Sequence, residues 1–397
     1  MQAIKTEVAT CTLSATVKQS DIKAALARVS KGVASRSTLP ILNNILLETT
    51  QDTLRISATN LEIAITVEIP ATNVEWGSTT IPAKVFGEYI SSLGSGIVEL
   101  RPIPSGAEGV QVRSGSAQAH MRGMRADEFP RIHTLDDAVK LLTLDCVTLK
   151  GIINEVAFCA AKATGRPVFT AVLMNMRDED IVFAAADTFR LGVRSVPYPT
   201  TDEEHQLGKW LIPASTLETL ASILPDTGEA EIYDSTNNQV FFQVPGLVMT
   251  SRVIEGTFPN YDAIVPHEHT TRIVAPREML IRAVRSASVF EAGLDGHGKG
   301  NTIRLQFVPG ESELMPGSVG VSATSDELGD SDARVDCTID GPAVHILLNC
   351  RFMEDVLNVI GTPEVVLQLT TPQSPLLMRG MGHDTYTHVI MPLYSRG

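Results

Sequence analysis

The stretch Gly293-Leu-Asp-Gly-His-Gly298-Lys299-Gly300 fits the first seven positions of a phosphate-binding loop. Such a loop cradles phosphates with backbone N–H groups, lies between a preceding strand and a following helix, and needs Ser or Thr after its lysine to ligate Mg²⁺. Here a helical pattern precedes, the strand-like TIRLQF follows, and Gly300 stands where the hydroxyl should be. The stretch therefore reads as a flexible loop from helix to strand. Hydrolytic chemistry finds no better support, since neither a Gly-x-Ser-x-Gly elbow nor a His-Glu-x-x-His helix occurs. His267 and His269 have metal-ligand spacing but sit in linker text, and His383-Asp384, without a nearby nucleophile, reads as a solvated turn. The acidic pairs Asp136-Asp137, Asp178-Asp180 and Glu203-Glu204 also lie in turn-like text. Cys11, Cys146, Cys159, Cys337 and Cys350 are odd in number, scattered and set in apolar surroundings, so they read as small buried thiols rather than a disulfide framework or metal site. No metal, no cofactor and no enzyme active site is expected, and binding or scaffolding gains weight.

Binding chemistry is carried by basic residues. Formal charge over the whole chain is −14, a balance that at face value argues against nucleic acid. Counted by segment, Lys18 to Arg36 holds five bases against one acid, while Leu149 to Arg166 and Pro276 to Ala287 hold three against one each. These segments carry +8 together, leaving −22 on the rest. At about 100° per residue, Lys31 points away from the apolar stripe of its helix and Arg28 flanks it, and Arg282 and Arg285 point away from Leu280 and Val284. A charged outer helix face is ordinary by itself. Its recurrence in three equivalent segments suggests one surface built to meet phosphates without reading bases.

The elements that position these side chains repeat at a period of about 130 residues. Each third opens with an amphipathic helix: Asp21 to Ser30 with Ile22, Leu26 and Val29 on one face, Leu149 to Ala160 with Ile152, Ile153 and Val156, and Pro276 to Ser286 with Leu280, Ala283 and Val284. A strand follows in which Ala58, Ala185 and Ala323 correspond, then a second helix in which Ala83, Ala214 and Cys350 correspond, then strands again. Strands do not alternate singly with helices, so the fold class is α+β with antiparallel layers, in three repeated domains of sheet plus two helices. Boundaries are expected in polar stretches near Leu135 to Val139 and His267 to Thr271, giving domains 1–136, 137–266 and 267–397.

A length of 397 residues suits two or three domains, and 43% hydrophobic with 20% charged residues excludes a disordered chain. No apolar run reaches the roughly 18 residues of a membrane helix, and the start MQAIKTEVATCTL lacks a signal-peptide layout, so a soluble, cytoplasmic protein is expected.

The segments LARVSKGVASRSTLPILNNILLE, TGRPVFTAVLMN, AADTFRLGV, FPNYDAIVP and SPLLMRGMGHDTYTHVIMPL are similar to the bacterial DNA polymerase III β subunits, the processivity sliding clamps. The resemblance spans essentially the whole chain in order. It implies a head-to-tail homodimer of three-domain protomers closed into a six-domain ring, sheets outside and helices around a hole that passes duplex DNA. It also implies a replicative processivity factor without catalysis, nucleoid-associated in the cytoplasm, that binds double-stranded DNA regardless of sequence, the polymerase III catalytic subunit, a clamp loader, and other polymerases and repair factors. Under it, the DNA-facing residues are Lys23, Arg28, Lys31, Arg36, Lys84, Lys150, Lys162, Arg166, Arg282 and Arg285. The family's peptide groove maps onto Phe169, Ala186, Thr188, Phe189, Arg190, Leu191, Pro259, Ala263, Ile264, Gln373, Pro375, Val389, Met391, Pro392 and Leu393, and its ring contact onto Ala119 and Met121 against Val289 and Phe290. Three departures stand out: the family usually has Gly-His at Thr188-Phe189, and often Arg at Ala263 and at Tyr394. They imply a more apolar, less basic groove. The stretches Ala292 to Asn301 and Pro309 to Gly317 look long for the family's third domain, which implies additions on loops. The competing readings are a nucleotide-dependent enzyme using the Gly293 to Gly300 loop and a peptide-binding scaffold that does not close a ring.

Overall fold

A computed structural model describes residues 13–34, 36–198, 207–235, 237–291, 301–311, 315–325 and 328–393. Cys11, Glu203, Glu204, Tyr394 and the Gly293 to Gly300 stretch lie outside the described residues. The first third runs β1 (Ser14–Lys18), α1 (Gln19–Val29), β2 (Asn44–Thr49), β3 (Thr53–Thr59), β4 (Ile63–Pro70), β5 (Thr72–Glu75), β6 (Ser78–Pro82), α2 (Ala83–Ser92), β7 (Ile97–Pro102), β8 (Gly109–Ser114) and β9 (Ala117–Arg122). The middle third runs β10 (Ala138–Asp145), α3 (Cys146–Val156), β11 (Ala171–Met176), β12 (Asp180–Ala186), β13 (Arg190–Pro197), β14 (Gly208–Pro213), α4 (Ala214–Ile223), β15 (Glu229–Ser235), β16 (Gln239–Val244) and β17 (Leu247–Arg252). The last third runs β18 (Thr271–Pro276), α5 (Arg277–Glu291), β19 (Thr302–Val308), β20 (Gly317–Ser325), β21 (Gly329–Asp340), β22 (Val344–Asn349), α6 (Cys350–Val359), β23 (Glu364–Leu369), β24 (Leu376–Gly380) and β25 (His383–Ile390).

Each α-helix begins on the residue that follows a strand. The junction works because an N-cap residue has extended dihedrals, so the last strand residue can serve as cap: Lys18 at φ −77°, ψ 139°, Pro82 at −59°, 117°, and Asn349 at −74°, 120°. Asn349 also accepts a hydrogen bond from Arg351 N at 3.0 Å, and Asp145 Oδ1 accepts from the backbone N–H groups of Val147 and Thr148, both at 3.0 Å. Asp145 thereby starts α3 at Cys146, ahead of the expected Leu149. Pro276 ends β18 instead of entering α5, and α5 runs past Ser286 to Glu291. Ala83, Ala214 and Cys350, matched by the repeat, are the first residues of α2, α4 and α6. The expected thirds, helix then strands twice over, thus lacked the strand that launches the first helix of each, β1, β10 and β18.

The apolar stripes are the buried faces. Ile22 and Val29 are fully buried, as are Leu280 and Val284, and Ile152, Ile153 and Val156 are at 1% exposure or less. Each such side chain contributes about 1.5–3 kcal/mol on burial. In one compact unit, Met1–Leu149 with Ser222–Val253, α1 packs on β3, β4 and α2. In the other, Lys150–Ala221 with Ile254–Gly397, α5 packs on β19, β20, β21 and α6. Ala58, Ala185 and Ala323 are buried at 0%, 0% and 5% exposure.

All strand pairings are antiparallel among the described residues, as expected for this class. The first unit holds a sheet in the order β5-β1-β7-β8-β9 and another in the order β10-β15-β16-β17-β4-β3-β2-β6. The second unit holds a twelve-stranded sheet, β14-β11-β12-β13-β25-β24-β23-β18-β21-β20-β19-β22. Strands of the middle third thus extend sheets of both neighbours, β17 along β4 and β13 along β25. The repeat divides the chain by sequence and the units divide it by contact, and the two divisions differ because ladders cross the repeat boundaries. Among the described residues no helix is long and apolar enough to cross a membrane.

The close approach of Gly123 to β6 ties this framework together. Its N–H donates to Glu108 O at 3.0 Å, and a Cβ there would lie 1.6 Å from Thr80 O. Gly123→Ala is therefore expected to destabilise by about 3 kcal/mol, within the range of overpacked sites. Urea unfolding should show a lower midpoint at unchanged m.

Candidate functional site

A cleft of about 130 Å³ opens in the second unit where the β12–β13 turn, the end of β25 and the segment after β17 meet. Phe169, Ala186, Thr188, Arg190, Leu191, Pro259, Ile264, Val389 and Met391 line it, together with Phe258 and Tyr261. Its floor is the buried apolar cluster of Phe169, Ala171, Leu173, Leu191, Tyr261 and Val389, with Phe258 packed against it. The strand register explains the convergence: Leu191 pairs with Val389 on adjacent strands, and Met391 N donates to Phe189 O at 2.8 Å, carrying the β25 chain along the turn.

The turn itself is built by Asp187. Its Oδ1 accepts from the N–H groups of Phe189 at 3.1 Å and Arg190 at 3.0 Å, while its own N–H donates to Arg190 O at 3.2 Å. This closes the loop so tightly that Thr188 adopts φ +80°, a conformation that crowds a β-branched residue. The Gly usual at this position in the resembling family would carry no such strain. Arg190 lies between the rings of Phe158 and Phe352, with its Cζ 5.2 and 4.4 Å from their centroids. Its guanidinium also meets Asp187 at 3.0 Å and Asp355 at 2.5 Å. Arg190 thus gives the cleft a rigid polar wall whose charge is already matched.

Of the other residues mapped to the groove, Phe189 projects outward at 56% exposure, leaving only its backbone O in the structure of the turn. Ala263 is exposed at the end of the short 3₁₀ turn Tyr261–Ala263. Gln373 and Pro375 occupy the β23–β24 connection, and Leu393 N donates to Leu347 O at 2.8 Å next to buried Pro392. None of these six lines the cleft. Phe258 and Tyr261 were absent from the mapped set. Tyr261 could have been found from its aromatic character beside Pro259, since its hydroxyl bonds to Arg177 and the Arg177 guanidinium lies 5.8 Å from its ring centroid.

Behind β13 and β25 sits a buried polar layer. His388 is fully buried and stacks on Phe158 at 5.6 Å, with Nδ1 3.2 Å from Tyr386 Oη and 3.7 Å from Cys159 Sγ. Nε2 has no partner. Burial, reinforced by the Arg190 charge, pushes the imidazole down to about 3, and burial pushes the Cys159 thiol up. Cys146, Cys159, Cys337 and Cys350 are buried thiols outside any disulfide. His383 and Asp384 open β25 instead of forming a solvated turn, and Arg194 Nη1 donates to His383 Nε2 at 2.9 Å. No group of three metal-ligating side chains occurs among the described residues. The order of elements around residues 292–300 is α5 before and β19 after, the reverse of what a phosphate-binding loop requires.

Basic side chains stand on the helices (Lys23, Arg28, Lys84, Lys150, Arg282, Arg285) and in the segments that follow α1 and α3 (Lys31, Arg36, Lys162, Arg166). Lys23, Lys31, Arg36, Lys84, Lys162, Arg166, Arg282 and Arg285 are exposed, and Arg28 and Lys150 are half-buried. Arg285 donates to Asn358 Oδ1 at 3.1 Å. Among the described residues no carboxylate pairs with Lys23, Arg28, Lys31, Arg36, Lys84, Lys162, Arg166 or Arg282. Ala119 and Met121 lie on β9, an edge strand, with Met121 at 8% exposure turned into its own unit. Val289, at 64% exposure, and half-buried Phe290 lie in the last turns of α5.

Two stability outcomes follow from this geometry. Thr188→Gly removes about 1–3 kcal/mol of backbone strain against about 0.5–1 kcal/mol of added chain entropy, so a net gain of about 1 kcal/mol is expected in urea unfolding. His388 has a folded value below its unfolded one, so its contribution is complete above about pH 6.5 and is lost as pH falls towards 3. The loss should follow about 1.4 kcal/mol per pH unit, and His388→Leu should flatten that part of the profile relative to the parent.

Comparison with known proteins bears on the whole chain. Family models of the DNA polymerase III beta subunit match over residues 13–133 for its N-terminal domain, 143–260 for its central domain and 262–394 for its C-terminal domain. The beta sliding clamp of Synechocystis sp. is 28% identical over 393 residues, covering 95% of this chain and 98% of that protein. That of Bacillus subtilis is 26% identical over 395 residues, with the same coverage of 95% and 98%. The crystal structure of the Bacillus subtilis DNA polymerase sliding clamp shares the fold at a TM-score of 0.89, with 24% identity over 97% of this chain and 100% of that one. The DNA polymerase III subunit beta from Pseudomonas aeruginosa superposes at a TM-score of 0.86, with 22% identity over 96% and 99%. With three consecutive domains matched in order from residue 13 to residue 394, the chain belongs to the DNA polymerase III beta subunit family, the replicative sliding clamps.

Proposed function

We propose that this clamp works as a head-to-tail homodimeric ring of six domains, 1–136, 137–266 and 267–397 in each protomer, that encloses duplex DNA and tethers its polymerase by topology. The observation that supports this reading is the set of exposed bases on and just after the first helices, Lys23, Lys31 and Arg36 in the first third, Lys162 and Arg166 in the second and Arg282 and Arg285 in the third, suited to phosphates and not to base edges. Contact is loose by design: a ring that slides must not gain its hold from affinity. Lys23, Arg28, Lys31, Arg36, Lys84, Lys150, Lys162, Arg166, Arg282 and Arg285 act as this diffuse surface. The edge strand β9, with Ala119 and Met121, meets the partner protomer near Val289 and Phe290, a heterologous contact that closes at a fixed rotation. The protein carries no active site of its own, a clamp loader opens it, and it acts in the cytoplasm on nucleoid DNA.

The cleft receives short linear peptides from the polymerase III catalytic subunit, the loader, and other polymerases and repair factors. Apolar walls with a few fixed polar atoms suit such anchors. Since Arg190 is matched by Asp187 and Asp355, and Ala263 is uncharged, anchoring is mainly apolar.

The topological reading is tested by loading the protein onto nicked circular DNA and then linearising it. Retention on circles and loss from linear DNA is expected, and equal retention on both refutes enclosure. Reversing Arg28, Lys31, Arg282 and Arg285 to Glu should weaken DNA contact and reduce its salt dependence. For the cleft, Met391→Ala should weaken binding of a labelled polymerase-tail peptide about tenfold by fluorescence anisotropy, with the dimer mass unchanged. Parent affinity should change little between low and high salt.

A further inference from the structure

The first unit contains a second cleft, of about 90 Å³, built on the same backbone plan with different side chains. The β3–β4 turn repeats the hydrogen bonds that close the β12–β13 turn. Asn60 Oδ1 accepts from the N–H groups of Glu62 and Ile63, both at 2.9 Å, as Asp187 Oδ1 does from Phe189 and Arg190. Asn60 N donates to Ile63 O at 3.2 Å, the same bond and length as Asp187 to Arg190. Leu61 takes φ +76° where Thr188 takes +80°. The neighbouring strand also corresponds, because Ala64 pairs with Thr250 as Leu191 pairs with Val389, and Arg252 N donates to Glu62 O at 3.0 Å as Met391 N does to Phe189 O. Pro130 supplies the third wall, as Pro259 does in the other unit, while Phe129 before it is buried with Ile41 and Leu42.

The chemistry of the two clefts is opposite. Arg252 stands in the place of Met391, and Arg131 and His133 join the lining on either side of Ile132, which holds the position of Tyr261 after the Phe-Pro pair. Arg131 and Arg252 are exposed and pair with no carboxylate among the described residues, while Glu62 is the acidic member of the lining. Gln239, also in the lining, has its side-chain oxygen buried without a hydrogen-bond donor.

We propose that this cleft is a second linear-peptide site, selective for an extended acidic segment. Two unpaired guanidinium groups side by side favour carboxylates, and the orphaned Gln239 oxygen calls for an N–H donor. An extended acidic peptide brings both on one strand, whereas a phosphodiester backbone offers no N–H. Leu61, Ile63, Pro130 and Ile132 give the apolar surround that holds the chain. The proposal takes only its ligand class from the reading of the cleft lined by Met391, and the two are separable by charge.

The probe is a fluorescein-labelled peptide of alternating Leu and Asp, titrated with the full-length protein by anisotropy beside its Leu-Asn counterpart. Expected are binding of the acidic peptide alone, a tenfold or greater loss in Arg131→Ala/Arg252→Ala, a marked weakening by salt, and no loss in Met391→Ala. Gln239→Leu should weaken binding without changing its salt dependence. Equal binding of the Asn peptide, indifference to the double variant, or no binding at millimolar protein overturns the proposal. So does complete displacement by a short DNA duplex without change in the double variant. Loss in Met391→Ala alone assigns the peptide to the other cleft and also overturns it, while leaving the reading of that cleft intact.

Discussion

The backbone ladder that runs across repeat boundaries is the interaction on which the clefts depend. Where β13 lies along β25, Leu191 is fixed opposite Val389 and the Met391 amide is delivered to the Phe189 carbonyl. Where β17 lies along β4, Thr250 is fixed opposite Ala64 and the Arg252 amide is delivered to the Glu62 carbonyl. Register in an antiparallel pair is all or nothing, since a slip of one residue turns every side chain to the other face. The ladder therefore sets both the seam between repeats and the side chains offered at its end. It also consumes edge strands that would otherwise present unpaired N–H and C=O groups to other chains.

At the end of each ladder the chain must reverse sharply, and the cost is concentrated at one residue. Thr188 and Leu61 both have positive φ, and neither is the Gly or Asn that such a conformation favours. An Asx side chain on the preceding residue holds each turn closed by accepting two backbone N–H bonds. In the second unit the same region is stiffened from behind, where Arg190 is gripped by two rings and two carboxylates and His388 is kept neutral by burial. A wall so constrained cannot adapt much to its ligand. Such a wall is preorganised, and preorganisation lowers the ordering cost of whatever binds against it.

The sequence made the repeat and the apolar faces legible because both follow from periodicity. Ile22, Leu26 and Val29 or Leu280, Ala283 and Val284 are buried where a 3.6-residue period puts them, and the matched Ala83, Ala214 and Cys350 mark three helix starts. Helix beginnings were misjudged where a capping side chain decides them, as Asp145 does for α3, because a cap is a local geometric event and periodicity does not register it. The cleft was legible only in part. Its strand residues follow from alignment of motifs, but Phe258 and Tyr261 enter through the path of a connecting segment, and Phe189 leaves because the strained turn rotates it outward. The correspondence between the two clefts was not legible at all, since it resides in backbone bonds made by unlike residues.

That correspondence also bears on why a chain of net charge −14 can serve DNA. Charge is sorted by segment, with +8 on Lys18 to Arg36, Leu149 to Arg166 and Pro276 to Ala287 and −22 on the rest, and the neutralised Arg190 shows that a base near a cleft need not carry free charge. Arg131 and Arg252 are the contrast, bases away from the helices that have no partner. A long-range field decides which molecules approach, but within a Debye length the local pairing of each guanidinium decides what is held. One backbone plan thus presents two charge states, a cleft whose base is matched and a cleft with two bases that are not.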